Sequence, residues 1–196
     1  MHWKSVYTQV FGAIMSIAVL PVCAQVVPHG SQSGLPLTVG VGFSDFATDW
    51  GSTRMVGITA TVGWRLPLHA RFLNDLEIEA EGRELDWDKP SGLPQLRQET
   101  GLIGFQDGFY HHRRVSLYGK FLAGTGGVYF PPSGTYSHDT RTVLAPGGGL
   151  DYRIGHGVSV RADYEYQFWR QLFGTHDLNP NGVTVGAIYS FGSRHN

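Results

Sequence analysis

"NGVTVGAIYSFGSRHN" (181–196) closes the chain, and its period decides the fold. Val183, Val185, Ala187, Tyr189 and Phe191 take every second position, with Thr184, Gly186, Ile188 and Ser190 between them. A period of two marks a strand whose faces meet different surroundings. The alternation recurs upstream. Leu37, Val39, Val41 and Phe43 alternate with Thr38, Gly40 and Gly42; Val56, Ile58, Ala60, Val62 and Trp64 alternate with Gly57, Thr59, Thr61, Gly63 and Arg65. Leu76, Ile78 and Ala80 then oppose Glu77, Glu79, Glu81 and Arg83. A fourth stretch lies within 97–110, but its period slips near 101–105 and leaves the register open.

Four stretches complete the series. Val115, Leu117, Gly119, Phe121 and Ala123 oppose Ser116, Tyr118, Lys120 and Leu122. Leu144, Gly148, Leu150 and Tyr152 oppose Val143, Ala145, Gly147, Gly149 and Asp151. Pro146 lacks a ladder donor and predicts a bulge there. Val158, Val160, Ala162, Tyr164, Tyr166 and Phe168 oppose Ser159, Arg161, Asp163, Glu165 and Gln167; the closing stretch is the eighth. Strands of about ten residues are long enough to cross a bilayer when tilted. Short connections at 111–114 and 154–157 contrast with long polar ones at 84–96, 128–140 and 170–181. Short turns at one end and long loops at the other suit an up-and-down barrel, and an even strand number returns both ends of the chain to the same rim.

Residues 1–24 read as a secretory signal peptide: Lys4, an apolar run from Val10 to Val22, then cleavage between Ala24 and Gln25. Lipidation at Cys23 is disfavoured by the bulky Val22 before it. Cleavage would leave no cysteine, so neither a disulfide nor a thiol is expected to serve the mature fold. Residues 25–34 are expected to form a linker and 35–196 a single barrel domain. Fifteen Lys+Arg against 16 Asp+Glu give no basic surplus for nucleic acid.

Alternation alone does not say which face looks inward. A soluble lipocalin-like barrel turns its apolar face to a ligand cavity; a membrane barrel turns it to lipid. Two features favour lipid. The polar face of the first two strands is rich in Gly and Thr, which suits a crowded lumen. The apolar stripes also end in aromatics (Trp64; Tyr164, Tyr166 and Phe168, then Trp169; Tyr189 and Phe191), as expected where rings sit at the membrane–water interface.

"TVGAIYSF" (184–191), with Thr184, Gly186, Tyr189 and Phe191, resembles the closing-strand signal of bacterial outer-membrane barrels. "GGGLDYRIGHGVSVRADYEYQFW" (147–169) adds a Gly-rich strand, a tight turn and an R-x-D/E-Y-x-Y strand. From about Leu35 to Phe191 the chain resembles the OmpA-like eight-stranded outer membrane β-barrel family, in the short form without a periplasmic domain. The resemblance implies an all-β, eight-stranded antiparallel up-and-down transmembrane β-barrel. It also implies membrane lipids and lipopolysaccharide as surroundings, and the barrel-assembly machinery as reader of the last strand.

With the apolar stripes outward, Glu77, Glu79, Glu81, Arg83, Lys120, Arg161, Asp163 and Glu165 point into the lumen, joined by Arg65 and Asp151. Unpaired charge in so narrow a space is costly, so a paired network is expected, with the acids of the third strand against Arg65, Lys120 and Arg161. Such a network plugs the barrel and leaves a structural or surface-interacting role. An ion-conducting, porin-like channel is the alternative. A lipid-modifying enzyme fits less well: His29, His69, His111, His112, His138, His156, His176 and His195 all fall in predicted turns, loops or termini, none mid-strand beside a Ser. "HHRR" (111–114) lacks a second ligand cluster for a metal and reads as a solvated turn. No cofactor is expected. Residues 129–136 offer a surface for an external partner. The refolded protein is expected to run faster on an SDS gel before boiling than after, and only when refolded in detergent; folding in plain buffer would turn the apolar stripes inward.

Overall fold

The computed structural model describes residues 36–49, 54–67, 75–86, 96–130, 137–172 and 176–191. The alternating stretches form β1 (Leu37–Ala47), β2 (Arg54–Arg65), β3 (Glu77–Asp86), β4 (Arg97–His112), β5 (Val115–Phe130), β6 (Ser137–Arg153), β7 (Val158–Tyr166), β8 (Phe168–Leu172), β9 (His176–Leu178) and β10 (Asn181–Phe191). Eight antiparallel pairings close a ring in the order β1-β2-β3-β4-β5-β6-β7-β10, and β10 returns to β1 with Leu37 opposite Phe191 and Ala47 opposite Asn181. β8 carries β7 past Gln167, and β9 leads into β10 past Asn179 and Pro180. The barrel therefore has eight staves, the last two each interrupted once.

The outward face is apolar at mid-height. Val41, Phe43, Ile58, Val62, Ile103, Phe105, Phe121 and Val185 all lie half exposed or more, and Phe43 reaches 77%. In water such a belt would be a large unfavourable patch; in a bilayer it is the contact surface. Trp64, Tyr110, Tyr152, Tyr189 and Phe191 stand exposed at the turn end. Tyr164 and Phe168 are exposed toward the loop end, and Tyr166 is half-buried with its ring 5.0 Å from that of Phe168.

Four sequence expectations need correction. The strands are not uniformly about ten residues long: β5 has 16 and β6 17, reaching far into the segments read as loops. Sixteen residues at about 3.3 Å each and a tilt of about 40° rise roughly 40 Å, beyond a hydrocarbon core of about 30 Å. Above the membrane the outer face meets water and needs no apolar side chains, so pairing continues where the alternation fades. The period of β4 does not slip at 101–105, where the register with β3 is continuous from Gln106 to Arg97. The inward residue there is the apolar Leu102 and the outward one is Gly101, which inverts the expected contrast. The bulge of β4 comes later, between Gly108 and Tyr110, where Phe109 is extra and both Phe109 and Tyr110 end exposed. Pro146 makes no bulge: it sits opposite Phe121 in unshifted register, and its missing donor leaves a gap between β7 and β8 instead.

Trp169 is the fourth correction. It is 1% exposed rather than at the membrane interface, because Gln167 and Trp169 share the inward face with Glu165. Its indole fits only because Gly126 has no side chain: a Cβ at 126 would stand 2.2 Å from the ring. Gly126→Ala is expected to lower stability by about 1–3 kcal/mol through overpacking, read by unfolding in lipid vesicles, and Trp169→Ala in the same chain is expected to remove most of that coupling.

Candidate functional site

The interior of the barrel has two storeys, each the product of which residues fall on the inward face. At the loop end Phe46, Met55, Leu85, Leu102, Leu122, Val128, Val143, Ala145 and Trp169 form one buried apolar cluster, with Leu96 and Leu178 at its rim. At the turn end the inward residues of β3, β5 and β7 carry charge. Eight strands leave room for side chains and little else.

Lys120 is the centre of the charged storey. Its ammonium is fully buried and lies 2.6 Å from Asp163, 2.9 Å from Glu81, 3.1 Å from Glu165 and 3.7 Å from Glu79. Arg83 bridges Glu81 and Glu165, at 2.5 and 2.8 Å. Arg161 reaches Glu79 at 2.9 Å and grips Asp151 through Nε and Nη2 at 2.7 and 2.9 Å. Three cations thus face five carboxylates in one connected group. Neutral groups join it: the Gln167 amide donates to Glu165 at 2.7 Å, and the Thr59 hydroxyl accepts from Arg83 Nε at 3.0 Å.

The two storeys are stitched together. Trp169 Nε1 donates to Gln167 Oε1 at 2.8 Å, so the buried indole ends on the polar network. The Arg83 guanidinium lies 4.2 Å from the centre of the Phe46 ring, and that of Arg161 lies 4.5 Å from the Tyr118 ring. Such stacking gives a buried cation a partner where no carboxylate reaches. The opposite wall is thin, because β1, β2 and β10 turn Thr38, Gly40, Gly42, Ser44, Thr59, Thr61, Thr184 and Gly186 inward. A cavity of about 20 Å³, room for about one water, separates part of that wall from Glu81, Arg161 and Asp163.

Of the residues read as a lumen network, Glu79, Glu81, Arg83, Lys120, Asp151, Arg161, Asp163 and Glu165 come together. Glu77 is buried beside them and accepts the Thr38 hydroxyl proton rather than an ion pair. Arg65 is a correction. It faces inward in sequence parity but is the last residue of β2, so its side chain is exposed at the rim and takes no part in the network. The sequence reading missed the apolar storey, Tyr118 and Gln167. The inward apolar residues Leu85, Leu102 and Leu122 were the available signal. Thr184 and Gly186 line the thin wall, whereas Tyr189 and Phe191 stack edge-to-face outside with ring centres 4.7 Å apart. Ala24 and Gln25 lie outside the described residues, as does most of 129–136, where Tyr129 contacts the His138 ring at 4.4 Å.

His111, expected in a turn, lies instead at the end of β4 and faces a serine across the hairpin. The bulge at Phe109 brings His111 opposite Ser116, and the ring bridges Ser116 Oγ at 2.9 Å and Asp75 Oδ2 at 2.7 Å. Nδ1 faces the hydroxyl and Nε2 the carboxylate, with His111 52% and Asp75 36% exposed. Acyl transfer needs preorganised oxyanion donors in a site that excludes water. On this open rim the three groups form a polar clamp that ties the segment before β3 to the β4–β5 hairpin. Among the described residues no three His, Cys, Asp or Glu side chains gather as a metal site.

The sequence matches the family described as outer membrane protein beta-barrel domain over residues 14–191. Among solved structures, Neisserial surface protein A aligns at 16% identity, covering 79% of this chain and 96% of its own, with a TM-score of 0.64. Ail, the attachment invasion locus protein of Yersinia pestis, aligns at 21% identity over 78% of this chain and 96% of its own, with a TM-score of 0.57. OprG of Pseudomonas aeruginosa aligns at 13% identity over 84% of this chain and its whole length, with a TM-score of 0.52. No curated protein matches the chain. At these identities the structural likeness speaks for the fold.

Removing Lys120 takes a cation from four buried carboxylates and leaves Asp163 with no ion pair among the described residues. Lys120→Met is expected to cost about 3–5 kcal/mol in vesicle unfolding. Arg65→Gln, at the rim, is expected to stay within about 0.5 kcal/mol.

Proposed function

Because this chain belongs to the outer membrane protein beta-barrel domain family, we propose that its work is done by its outer and end surfaces, without catalysis and without a conducting lumen. The observation that carries this reading is the filled interior. From Asp151 through Lys120 and Arg83 to Trp169, side chains occupy the axis in continuous contact. An ion would have to break a buried charge network and then cross an apolar cluster. Lumen charge that tunes selectivity needs a water column to act on. The reading includes export through a cleaved leader at Ala24–Gln25, with 25–34 as linker and 35–196 as the barrel. It includes the finer OmpA-like grouping, for which Thr184, Gly186, Tyr189 and Phe191 are the support, and recognition of those residues by the assembly machinery. Lipid and lipopolysaccharide would surround the outward aromatics Trp64, Tyr164, Tyr166, Phe168 and Tyr189, with the turn end toward the periplasm.

The long-stranded loop end is the surface offered to an external partner. Attachment, the printed role of the Yersinia protein, is the kind of interaction this end suits. That protein is also known in complex with a heparin analogue, sucrose octasulfate. Three of the four described loop-end arginines are already neutralised, which does not favour such a polyanion. Arg54 is paired with Asp45, Arg97 with Glu84 and Glu99, and Arg141 with Asp139.

In planar bilayers the refolded protein is expected to give no current steps under voltage, and in cells its expression is expected to leave the lipid A mass profile unchanged. Discrete steps would replace this reading with a channel. A lost acyl chain would replace it with an enzyme.

A further inference from the structure

The arginines that the network leaves out are not scattered evenly. At the turn end Arg65, Arg113, Arg114 and Arg153 are all exposed, and none makes an ion pair with a described residue. The acids described at that end are Asp75, already held by His111, and Asp107. The loop end is the reverse. Its described arginines are Arg54, Arg97, Arg141 and Arg170, against Asp45, Asp49, Glu84, Asp86, Glu99, Asp139 and Asp177, and three of the four arginines are paired.

The unpaired arginines are held in place by the barrel. Arg65 ends β2 with its N–H on the Pro36 carbonyl at 2.7 Å; the Arg153 N–H donates to the Arg114 carbonyl at 2.8 Å, which ties the β4–β5 and β6–β7 turns side by side. Arg113 turns the first of these hairpins in the left-handed region, with φ 53°. The four therefore span the rim from β2 round to β6. Trp64 precedes Arg65 and Tyr152 precedes Arg153, and both aromatics are exposed on the outward face. Aromatic rings of this kind settle at the headgroup level. Arg65 and Arg153 follow these rings as the exposed last residues of β2 and β6, and a charge at that rim acts over a screening length of about 10 Å.

We propose that this arginine collar selects anionic phospholipid in the leaflet that meets the turn end, drawing phosphate-rich headgroups round the rim from β2 to β6. The occupant is a lipid surface rather than a soluble anion, because the collar is continuous with the lipid-facing aromatic belt. This rests on the membrane-spanning reading of the barrel, and the loop end, with three of its four described arginines paired and its described acids in excess, supplies no second collar.

The test measures the relative association of spin-labelled phosphatidylglycerol and phosphatidylcholine with the refolded full chain in phosphatidylcholine bilayers. The wild type is expected to prefer phosphatidylglycerol by about threefold, on the scale of basic residues near an anionic surface. The preference is expected to vanish in R65Q/R113Q/R114Q/R153Q and to persist in Arg170→Gln. Should the quadruple variant not refold, the wild type in about 1 M salt, where screening acts over about 3 Å, is expected to lose the preference in its place. Equal association of both lipids in low salt overturns the proposal. So does a preference that survives the quadruple substitution or high salt, and so does displacement of the labelled lipid by excess glycerophosphate, which would mark a soluble-anion site. A boiling-dependent gel shift of each sample separates these outcomes from failure of the membrane-barrel reading itself.

Discussion

A fully buried ammonium among four carboxylates is the constraint around which the barrel is organised. Lys120 on β5 holds β3 through Glu79 and Glu81, and β7 through Asp163 and Glu165. These strands are not hydrogen-bonded neighbours, so the network ties across the interior what the backbone ladder ties only round the wall. Charge buried in this way stabilises only when every partner is in place. Arg83 and Arg161 complete the set at either side of Lys120, so loss of one member costs more than its own contact.

The apolar storey depends on the same arrangement. A barrel in lipid cannot use its outer surface as a core, because leaving that surface in lipid costs nothing. Its own hydrophobic burial must come from inside, and here it is concentrated at the loop end, where strands rise above the membrane into water. Phe46, Met55, Leu85 and Trp169 form there what a small soluble β-protein would have at its centre. The charged storey lies lower, where an unsatisfied polar group would be hardest to tolerate. Gln167 joins the two, accepting from Trp169 and donating to Glu165.

Much of this was legible in the residues. Strict alternation in β1, β2, β7 and β10 assigned the lipid face, and the charges of β3, β5 and β7 then had to point inward. What escaped reading has identifiable causes. Gly101 and Leu102 exchange the usual polarity of the faces, because at that height the lumen is apolar and the outer face needs no bulk. The extra residue Phe109 changes the parity of everything after it in β4, and only that shift sets His111 beside Ser116. Trp169 looked like an interface aromatic because it follows three outward ones, but the interruption at Gln167 leaves the inward parity intact. Arg65 had the right parity and the wrong height, and a period of two carries no information about height.

The thin wall of Gly and Thr on β1, β2 and β10 has a mechanical consequence. The ion pairs brace β3, β5 and β7 against one another, while the seam where β10 meets β1 is held by its ladder and by short hydroxyl contacts such as Ser44 with Thr184 at 2.7 Å. One arc of the cylinder is therefore cross-braced by ion pairs, and the other is joined to it by hydroxyl contacts such as Thr59 with Arg83. The second arc contains the joint between the two strands furthest apart in the chain, the one that closes the ring. Along that line the closing ladder, from Leu37 opposite Phe191 to Ala47 opposite Asn181, carries without an ion pair what the rest of the wall shares with its charged interior.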